Sequence, residues 1–315
     1  MRLPENRQLK AAAKDSLQKA YFDPRKLVVL HTAAMLLVSL LVLAIDFLLE
    51  EQIAGTGGLG GVGIRSSLTT AQMILQIAQI IAIPFWQLGW IFSALKYARG
   101  EKVVGADLAE GFRRFMPYLR LTVLKGLIFF GLSFGAAYAG AFITLMSPLS
   151  GSTMDVLMSE TMTEEQLMLQ MERLMVPMMA IGCVLALVVI LPFFYRFRMA
   201  EYVMLDNRCG ARAALRGSRF LMKGNMWRMM RLDLSFWWFA LLSMAVSTLT
   251  MADLVLPLLG VELPWPSGVS YFVAAILGAI AQLILYYFCK AKIDVTYAHA
   301  YLSLLPKEEE TYESH

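Results

Sequence analysis

The stretch DNRCGARAALRGSRFLMKGNMWRMMRLDLSFWW, residues 206–238, decides the fold of this 315-residue chain. Wound as a helix, it places four basic side chains at i, i+4, i+7 and i+11 on one face: Arg212, Arg216, Arg219 and Lys223. The opposite face is apolar, so the segment is amphipathic. Gly224 predicts the end of this helix, and Asn225 predicts the start of the next. The apolar run that follows can enter a bilayer, and a basic amphipathic helix before such a run is typical of a lipid surface.

The composition of the whole chain agrees with this interpretation. Hydrophobic residues make up 58% of the sequence and charged residues 17%, whereas soluble domains carry about 25% charged residues. The first apolar run begins at Leu27, after a charged segment, and is too long for a signal-peptide core, so it predicts an uncleaved anchor. The three cysteines, Cys183, Cys209 and Cys289, offer no pair suited to an extracytoplasmic disulfide.

Six apolar runs predict an all-α, polytopic membrane protein with six transmembrane helices. The predicted spans cover approximately residues 27–49, 70–97, 120–146, 177–200, 226–250 and 269–292. Basic amphipathic segments precede the first, third and fifth spans, which predicts three cytoplasmic amphipathic helices and a pseudo-threefold repeat of about a hundred residues. Residues 1–302 are expected to form one transmembrane domain, and the acidic tail 303–315 is expected to be disordered.

Two finer expectations concern single helices. The second amphipathic helix is predicted from an apolar stripe formed by Val104, Leu108, Phe112, Phe115 and Leu119. On the third span, Gly131, Gly135 and Ala139 share one face. Small residues at this spacing predict that another helix approaches that face closely.

The basic residues predict the orientation of the chain. Of the 28 lysines and arginines, all but Arg65 and Arg173 fall in the terminal segments or in the segments that follow the second and fourth spans. The positive-inside rule therefore predicts that both termini face the cytoplasm.

A second group of charged residues falls at the predicted cytoplasmic ends of the spans. Its members are Arg196, Arg198, Glu201, Arg231, Asp233 and Lys290. A lone carboxylate at the membrane boundary is costly, so a basic partner is expected for Asp233. The group fits either a ring of salt bridges that fixes the helix bundle or the polar mouth of an inward-facing cavity.

Polar side chains also occur within the predicted spans. Gln72, Gln76 and Gln79 share one face of the second span and are expected to point inward, because amides facing lipid are costly. They could form hydrogen bonds between helices or line a solute path. His31, near the start of the first span, fits either a helix–helix hydrogen bond or a proton relay.

The sequence contains no recognisable catalytic constellation. The histidines are scattered, and no cysteine or carboxylate stands at metal-ligand spacing to them. No glycine-rich loop joins a strand to a helix, so no nucleotide site is predicted. We therefore expect no enzymatic activity, no cofactor, no metal and no nucleic-acid partner.

Residues 202–242 resemble a known family signature. The runs YVMLDN, AALRGSRFLMKGN and RLDLSFWW are similar to those of an uncharacterised bacterial integral membrane protein family, domain of unknown function 975. RQLKAAAKDSLQKAYF (7–22) and YAHAYLSL (297–304) also look like that family. The resemblance implies a bacterial cytoplasmic membrane protein and no particular chemistry. More loosely, the layout resembles the membrane domain of some glycerophosphodiester phosphodiesterases, without any phosphodiesterase domain.

These observations predict a membrane-embedded accessory or scaffold protein. Its cytoplasmic basic face, centred on the residue 212–223 stripe, is expected to engage anionic lipid headgroups or a membrane-protein partner. The alternative is a small-solute or lipid transporter with a polar path along the second span. Paired helix interruptions in matching repeats, which mark broken-helix transporters, are not evident in the sequence, and this favours the scaffold.

Overall fold

The computed structural model describes residues 2–55, 62–146, 164–250 and 267–306, and every regular element in these ranges is a helix. In chain order the helices are α1 (Asn6–Gln18), α2 (Pro24–Gly55), α3 (Val62–Arg99), a 3₁₀ helix (Gly105–Ala109), α4 (Glu110–Arg113), α5 (Phe115–Met146), α6 (Glu164–Arg196), α7 (Ala200–Asn207), α8 (Ala211–Met222), α9 (Met226–Leu234), α10 (Trp237–Thr250) and α11 (Ser267–Ser303).

The described residues contain enough long apolar helices for a multi-pass membrane protein. Five segments are long and apolar enough to cross a bilayer, and they become six if α9 and α10 together count as one. Several helices extend well past the predicted spans: α6, for example, begins at Glu164. Hydropathy detects only the apolar part of a helix, whereas Glu, Gln, Leu and Met favour helix on either side of that part.

The chain divides into two compact units. The first comprises Met1–Phe115 with Trp227–His315, and the second comprises Met116–Met226. The single domain over residues 1–302 and the threefold repeat therefore stay predictions. The end of the acidic tail, residues 307–315, lies outside the described residues.

In the first unit, α11 packs against α1, α2, α3 and α10. Side chains are deeply buried where α1 meets α3 and α11: Leu9, Ala13, Trp90 and Tyr301 are each at most 3% exposed. Apolar side chains farther along the long helices stay exposed, as expected where lipid rather than protein surrounds them. The N-terminal amphipathic helix thus belongs to the protein core.

In the second unit, α8 packs against α6 and α7. Arg208 ends α7 in the left-handed conformation with φ 48°, and Gly224 has φ 79° just after α8. The predicted helix end at Gly224 agrees with this geometry. The side-chain amide of Asn225 donates to the carbonyl of Leu221 at 3.2 Å, so this residue also closes α8.

The second amphipathic stripe does not lie on one continuous helix, contrary to expectation. Residues 105–119 form the 3₁₀ helix, the one-turn helix α4 and the start of α5. The cause is local, because the Asp107 carboxylate accepts a hydrogen bond from the Val104 amide at 2.8 Å and pairs with Lys96 at 3.0 Å. Leu108 is buried, but Val104 and Phe112 are exposed.

The predicted fifth span is also interrupted. The axes of α9 and α10 differ by 57° at a break around Ser235 and Phe236. The Ser235 hydroxyl donates back to the carbonyl of Leu232 at 2.6 Å, which competes with the regular helix ladder. The predicted fifth span over 226–250 thus corresponds to a bent pair of helices, which counts as one span when α9 and α10 are taken together.

Small residues do bring two helices together in the second unit, but they are not the predicted ones. A side chain added at Gly131 or Gly135 would meet nothing within 4 Å. The close approach joins α5 and α6 instead, where a Cβ on Gly140 would lie 2.6 Å from the Cα of Gly182.

Candidate functional site

Three of the four basic residues of the opening stretch lie on the exposed side of α8, and Lys223, predicted on the same helix face, is the extended residue that follows the helix. We call Arg212, Arg216, Arg219 and Lys223 the α8 basic surface; all four are exposed. The other side of the helix is buried, through Ala211, Ala214, Leu215, Ser218 and Met222. Within the described ranges no carboxylate forms an ion pair with any of the four cations. Phe220 lies among them and is 75% exposed.

A buried hydroxyl fixes α8 to the end of α6. Ser218 Oγ donates to the carbonyl of Arg196 at 2.7 Å and accepts from the amide of Met199 at 3.2 Å. Both backbone groups lie at the turn between α6 and α7, where the regular helix ladder stops. Sequence reasoning did not find this role of Ser218, because its partners lie about twenty residues away.

Two shallow apolar grooves flank α8 on the side of α5. One has a volume of about 730 Å³ and is lined by Leu119, Arg120, Val123, Leu124, Leu127 and residues 210–213 and 216. The neighbouring groove, of about 420 Å³, shares Leu124, Arg212 and Arg216 with it. Arginine side chains therefore border an apolar surface here.

The six residues of the predicted polar mouth are divided between the two units. In the second unit, Glu201 pairs with Lys125 at 3.0 Å. Arg196 and Arg198 lie over the rings of Phe193 and Phe194, at 5.2 and 5.3 Å from the ring centroids. The stabilising ring and the polar mouth both stay predictions for this group.

In the first unit, Asp233 and Lys290 both have close neighbours on α11. The phenol of Tyr297 donates to Asp233 Oδ1 at 2.5 Å. Lys290 pairs with Asp294 at 3.4 Å, and the same carboxylate accepts a hydrogen bond from the indole of Trp90 at 2.5 Å. Arg231 is exposed, and its carbonyl accepts from the side-chain amide of Asn6 at 3.0 Å.

A residue that sequence reasoning did not select contacts the break between α9 and α10. Lys10 of α1 donates its ammonium to the carbonyl of Ser235 at 3.3 Å, and it lies 4.3 Å from the centroid of the Phe236 ring. Nothing in the spacing of residues 5–22 distinguishes Lys10 from the other lysines of that helix.

His31 is buried against two tryptophans. Its ring lies 6.1 Å from that of Trp86 and 5.6 Å from that of Trp90. Neither ring nitrogen has a hydrogen-bond partner within the described ranges, and the same holds for the hydroxyl of Thr32. The expected helix–helix hydrogen bond of the His31 side chain is therefore not among the described contacts.

The glutamine stripe is not uniformly buried. Gln72 and Gln79 are half-buried, and Gln76 is exposed. Gln79 donates its side-chain amide to the hydroxyl of Ser39 on α2 at 3.1 Å. This bond between α2 and α3 is what the helix-stabilising interpretation requires.

Replacing Gln79 with leucine tests that interpretation. We expect a stability loss of only about 0.6 kcal/mol, the average for hydrogen bonds between membrane helices. Denaturant unfolding of the purified protein measures it, and the Gln79→Leu/Ser39→Ala double-mutant cycle should give a coupling of similar size. A coupling near zero would contradict a stabilising role for the pair.

No group of three or more His, Cys, Asp or Glu side chains in the described ranges is arranged to hold a metal ion. The absence of enzymatic activity and of cofactors stays a prediction.

Comparison with known proteins identifies a family. A family model described as Protein of unknown function (DUF975) matches residues 2–308. No curated protein and no solved structure matches the chain. The family predicted from residues 202–242 is confirmed, and the looser likeness to the membrane domain of glycerophosphodiester phosphodiesterases stays a prediction. Because the family model covers nearly the whole chain, the protein belongs to the family of unknown function DUF975.

Proposed function

We propose that this protein is a non-enzymatic accessory or scaffold protein of the bacterial cytoplasmic membrane, and that its α8 basic surface engages anionic lipid headgroups. The observation that carries the proposal is the asymmetry of α8. Its apolar side and Ser218 are buried within the second unit, while the four cations and Phe220 are exposed.

An exposed basic surface of this kind fits the headgroup region physically. Each lysine or arginine near an anionic leaflet contributes about 1 kcal/mol of attraction. An exposed aromatic ring among the cations can enter the boundary between headgroups and acyl chains. No ion pair within the described ranges competes with lipid for these four cations.

The proposal requires α8 to face the cytoplasm, where anionic lipids give the leaflet its negative potential. The distribution of basic residues supports this orientation. Of the 28 lysines and arginines, 26 fall in the segments predicted to be cytoplasmic, and Arg65 and Arg173 fall in those predicted to face outward.

Cysteine labelling in intact cells tests the orientation. We expect a membrane-impermeant reagent to label a Gly60→Cys variant and to spare Cys209, with the other cysteines removed. Burial raises the pKa of the Cys209 thiol, so its accessibility must be confirmed in permeabilised cells in alkaline buffer, where more thiolate is present. Labelling of Cys209 but not of position 60 in intact cells would place α8 on the outer side of the membrane and contradict the proposal.

Lipid retention tests the function itself. We expect the protein purified in mild detergent to retain phosphatidylglycerol over phosphatidylcholine, and added salt to weaken that preference. Changing Arg212, Arg216, Arg219 and Lys223 together to glutamine should lower phosphatidylglycerol retention by at least about tenfold. Mass spectrometry of the retained lipid gives the measurement.

A charge-matched control separates this surface from the overall charge. Arg2, Arg7, Lys14 and Lys26 are also exposed, and changing them to glutamine removes the same four charges. We expect that variant to retain phosphatidylglycerol nearly as the parent does. Equal losses in the two variants would refute a specific role for α8, and a co-purifying acidic protein in place of lipid would point to a partner instead.

A further inference from the structure

The two grooves beside α8 form a continuous apolar surface along α5. The larger has a volume of about 730 Å³, and the smaller, of about 420 Å³, shares Leu124, Arg212 and Arg216 with it. The floor on α5 runs from Leu119 to Ile128. We call the combined surface the α5–α8 groove.

The floor of this groove follows the periodicity of one helix face. Leu119, Val123 and Leu127 lie at spacing four, and so do Leu124 and Ile128. Nine residue steps of about 1.5 Å give the floor a length of about 13 Å. That length is close to the hydrocarbon thickness of one leaflet, which is about 15 Å. Val123 and Leu127 are 52% and 63% exposed, so the groove is open along its length.

Positive charge is concentrated in the same groove. Arg120 of α5 faces it together with Arg212 and Arg216 of α8, and all three are exposed. No Asp or Glu is among the residues that line either groove. Guanidinium groups bind phosphate oxygens through paired hydrogen bonds, which makes arginine well suited to a phosphodiester.

We propose that the α5–α8 groove binds one anionic phospholipid of the cytoplasmic leaflet, with its phosphate on the three arginines and an acyl chain along Leu119–Ile128. The phosphate half of this inference rests on the proposed function, whereas the acyl-chain half does not. An apolar floor of leaflet depth beside three exposed arginines is complementary to both parts of a phospholipid.

Photo-crosslinking in nanodiscs tests the position of the lipid. The probe is a phosphatidylglycerol with a diazirine in one acyl chain, and mass spectrometry locates the adducts. We expect adducts on residues 119–128. Val123→Trp fills the groove from its floor on α5, and Ala213→Trp fills it from α8. Each should lower the labelling of this segment by at least about tenfold.

The matched control is Leu187→Trp. Leu187 is 65% exposed on α6 and lines neither groove. This variant also places an indole on an exposed apolar surface, and its labelling of residues 119–128 should equal that of the parent. Elution as a single species and an unchanged thermal midpoint confirm folding of every variant.

The outcomes separate this inference from the proposed function. Unchanged labelling in both groove-filling variants overturns the groove, even if the glutamine variant of the α8 basic surface loses phosphatidylglycerol. A second outcome is that the groove-filling variants lose labelling while the parent is labelled equally by phosphatidylcholine and phosphatidylglycerol probes. That result would support the acyl-chain site and overturn its preference for anionic lipid. A bound protein segment that protects residues 119–128 from the probe also overturns it.

Discussion

Replacing Gly111 with alanine should destabilise the protein by at least about 3 kcal/mol. Gly111 is buried on α4, and a Cβ there would overlap with the backbone carbonyl oxygen of Phe85 on α3. The contact is reciprocal, since a Cβ on Gly89 would overlap with the carbonyl oxygen of Leu108. Backbone cannot move aside as a flexible side chain can, so the added methyl must separate α3 from α4.

Thermal unfolding of the purified protein measures this effect. A loss of about 3 kcal/mol corresponds to a fall of roughly 6–12 °C in the unfolding midpoint. Gly126→Ala is the control, because Gly126 lies within α5 and an added Cβ would meet nothing within 4 Å. We expect that variant to be neutral or more stable by up to about 1 kcal/mol. Equal behaviour of the two variants would disprove the close contact.

Replacing Ser218 with alanine should release α8 from the end of α6. The change leaves the amide of Met199 without its hydrogen-bond acceptor and removes a donor from the carbonyl of Arg196. A buried backbone donor without a partner costs about 1–3 kcal/mol, so we expect a loss of about 2 kcal/mol. Because the loss is local, α8 should open more often than the rest of the chain unfolds.

Limited trypsin digestion detects this opening, since Arg212, Arg216 and Arg219 within α8 and Lys223 directly after it are all cleavage sites. Cleavage within residues 212–223 should accelerate by at least about tenfold in Ser218→Ala. Thr248→Ala is the control, because the hydroxyl of Thr248 is exposed and donates only within its own helix turn, to Met244 at 2.9 Å. If cleavage accelerates equally in the control, or does not accelerate in Ser218→Ala, the hydroxyl does not anchor the helix.

The helical class and the positions of the spans follow from local sequence properties. Long apolar runs can satisfy their backbone only as helices in a bilayer, so composition and hydropathy were enough to locate them. Amphipathic periodicity likewise identified the exposed cations and the buried residues of α8. These features depend on residues within one or two turns of each other.

The contacts that the sequence did not predict depend on distant residues. The break in the fifth span contains neither glycine nor proline. The carbonyl of Ser235 at this break accepts a hydrogen bond from Lys10, which is 225 residues away in the N-terminal helix. Small-residue spacing showed that α5 could approach another helix, but the contact depends on Gly182 facing Gly140. A single sequence gives the faces of each helix and does not say which faces meet.

The three contacts between the N-terminal segment and the start of the fifth span have a consequence for biosynthesis. Arg228 donates to the carbonyl of Leu3, Asn6 to that of Arg231 and Lys10 to that of Ser235, and each pair is separated by 225 residues. A ribosome adding about 5–20 residues per second needs about 11–45 s to cover that interval. Throughout this time the nascent N-terminal helix has none of these partners, although it leaves the ribosome first. A ribosome stalled before residue 228 would therefore leave a chain whose first helix can pack against α3 but lacks these three hydrogen bonds and its contacts with α11.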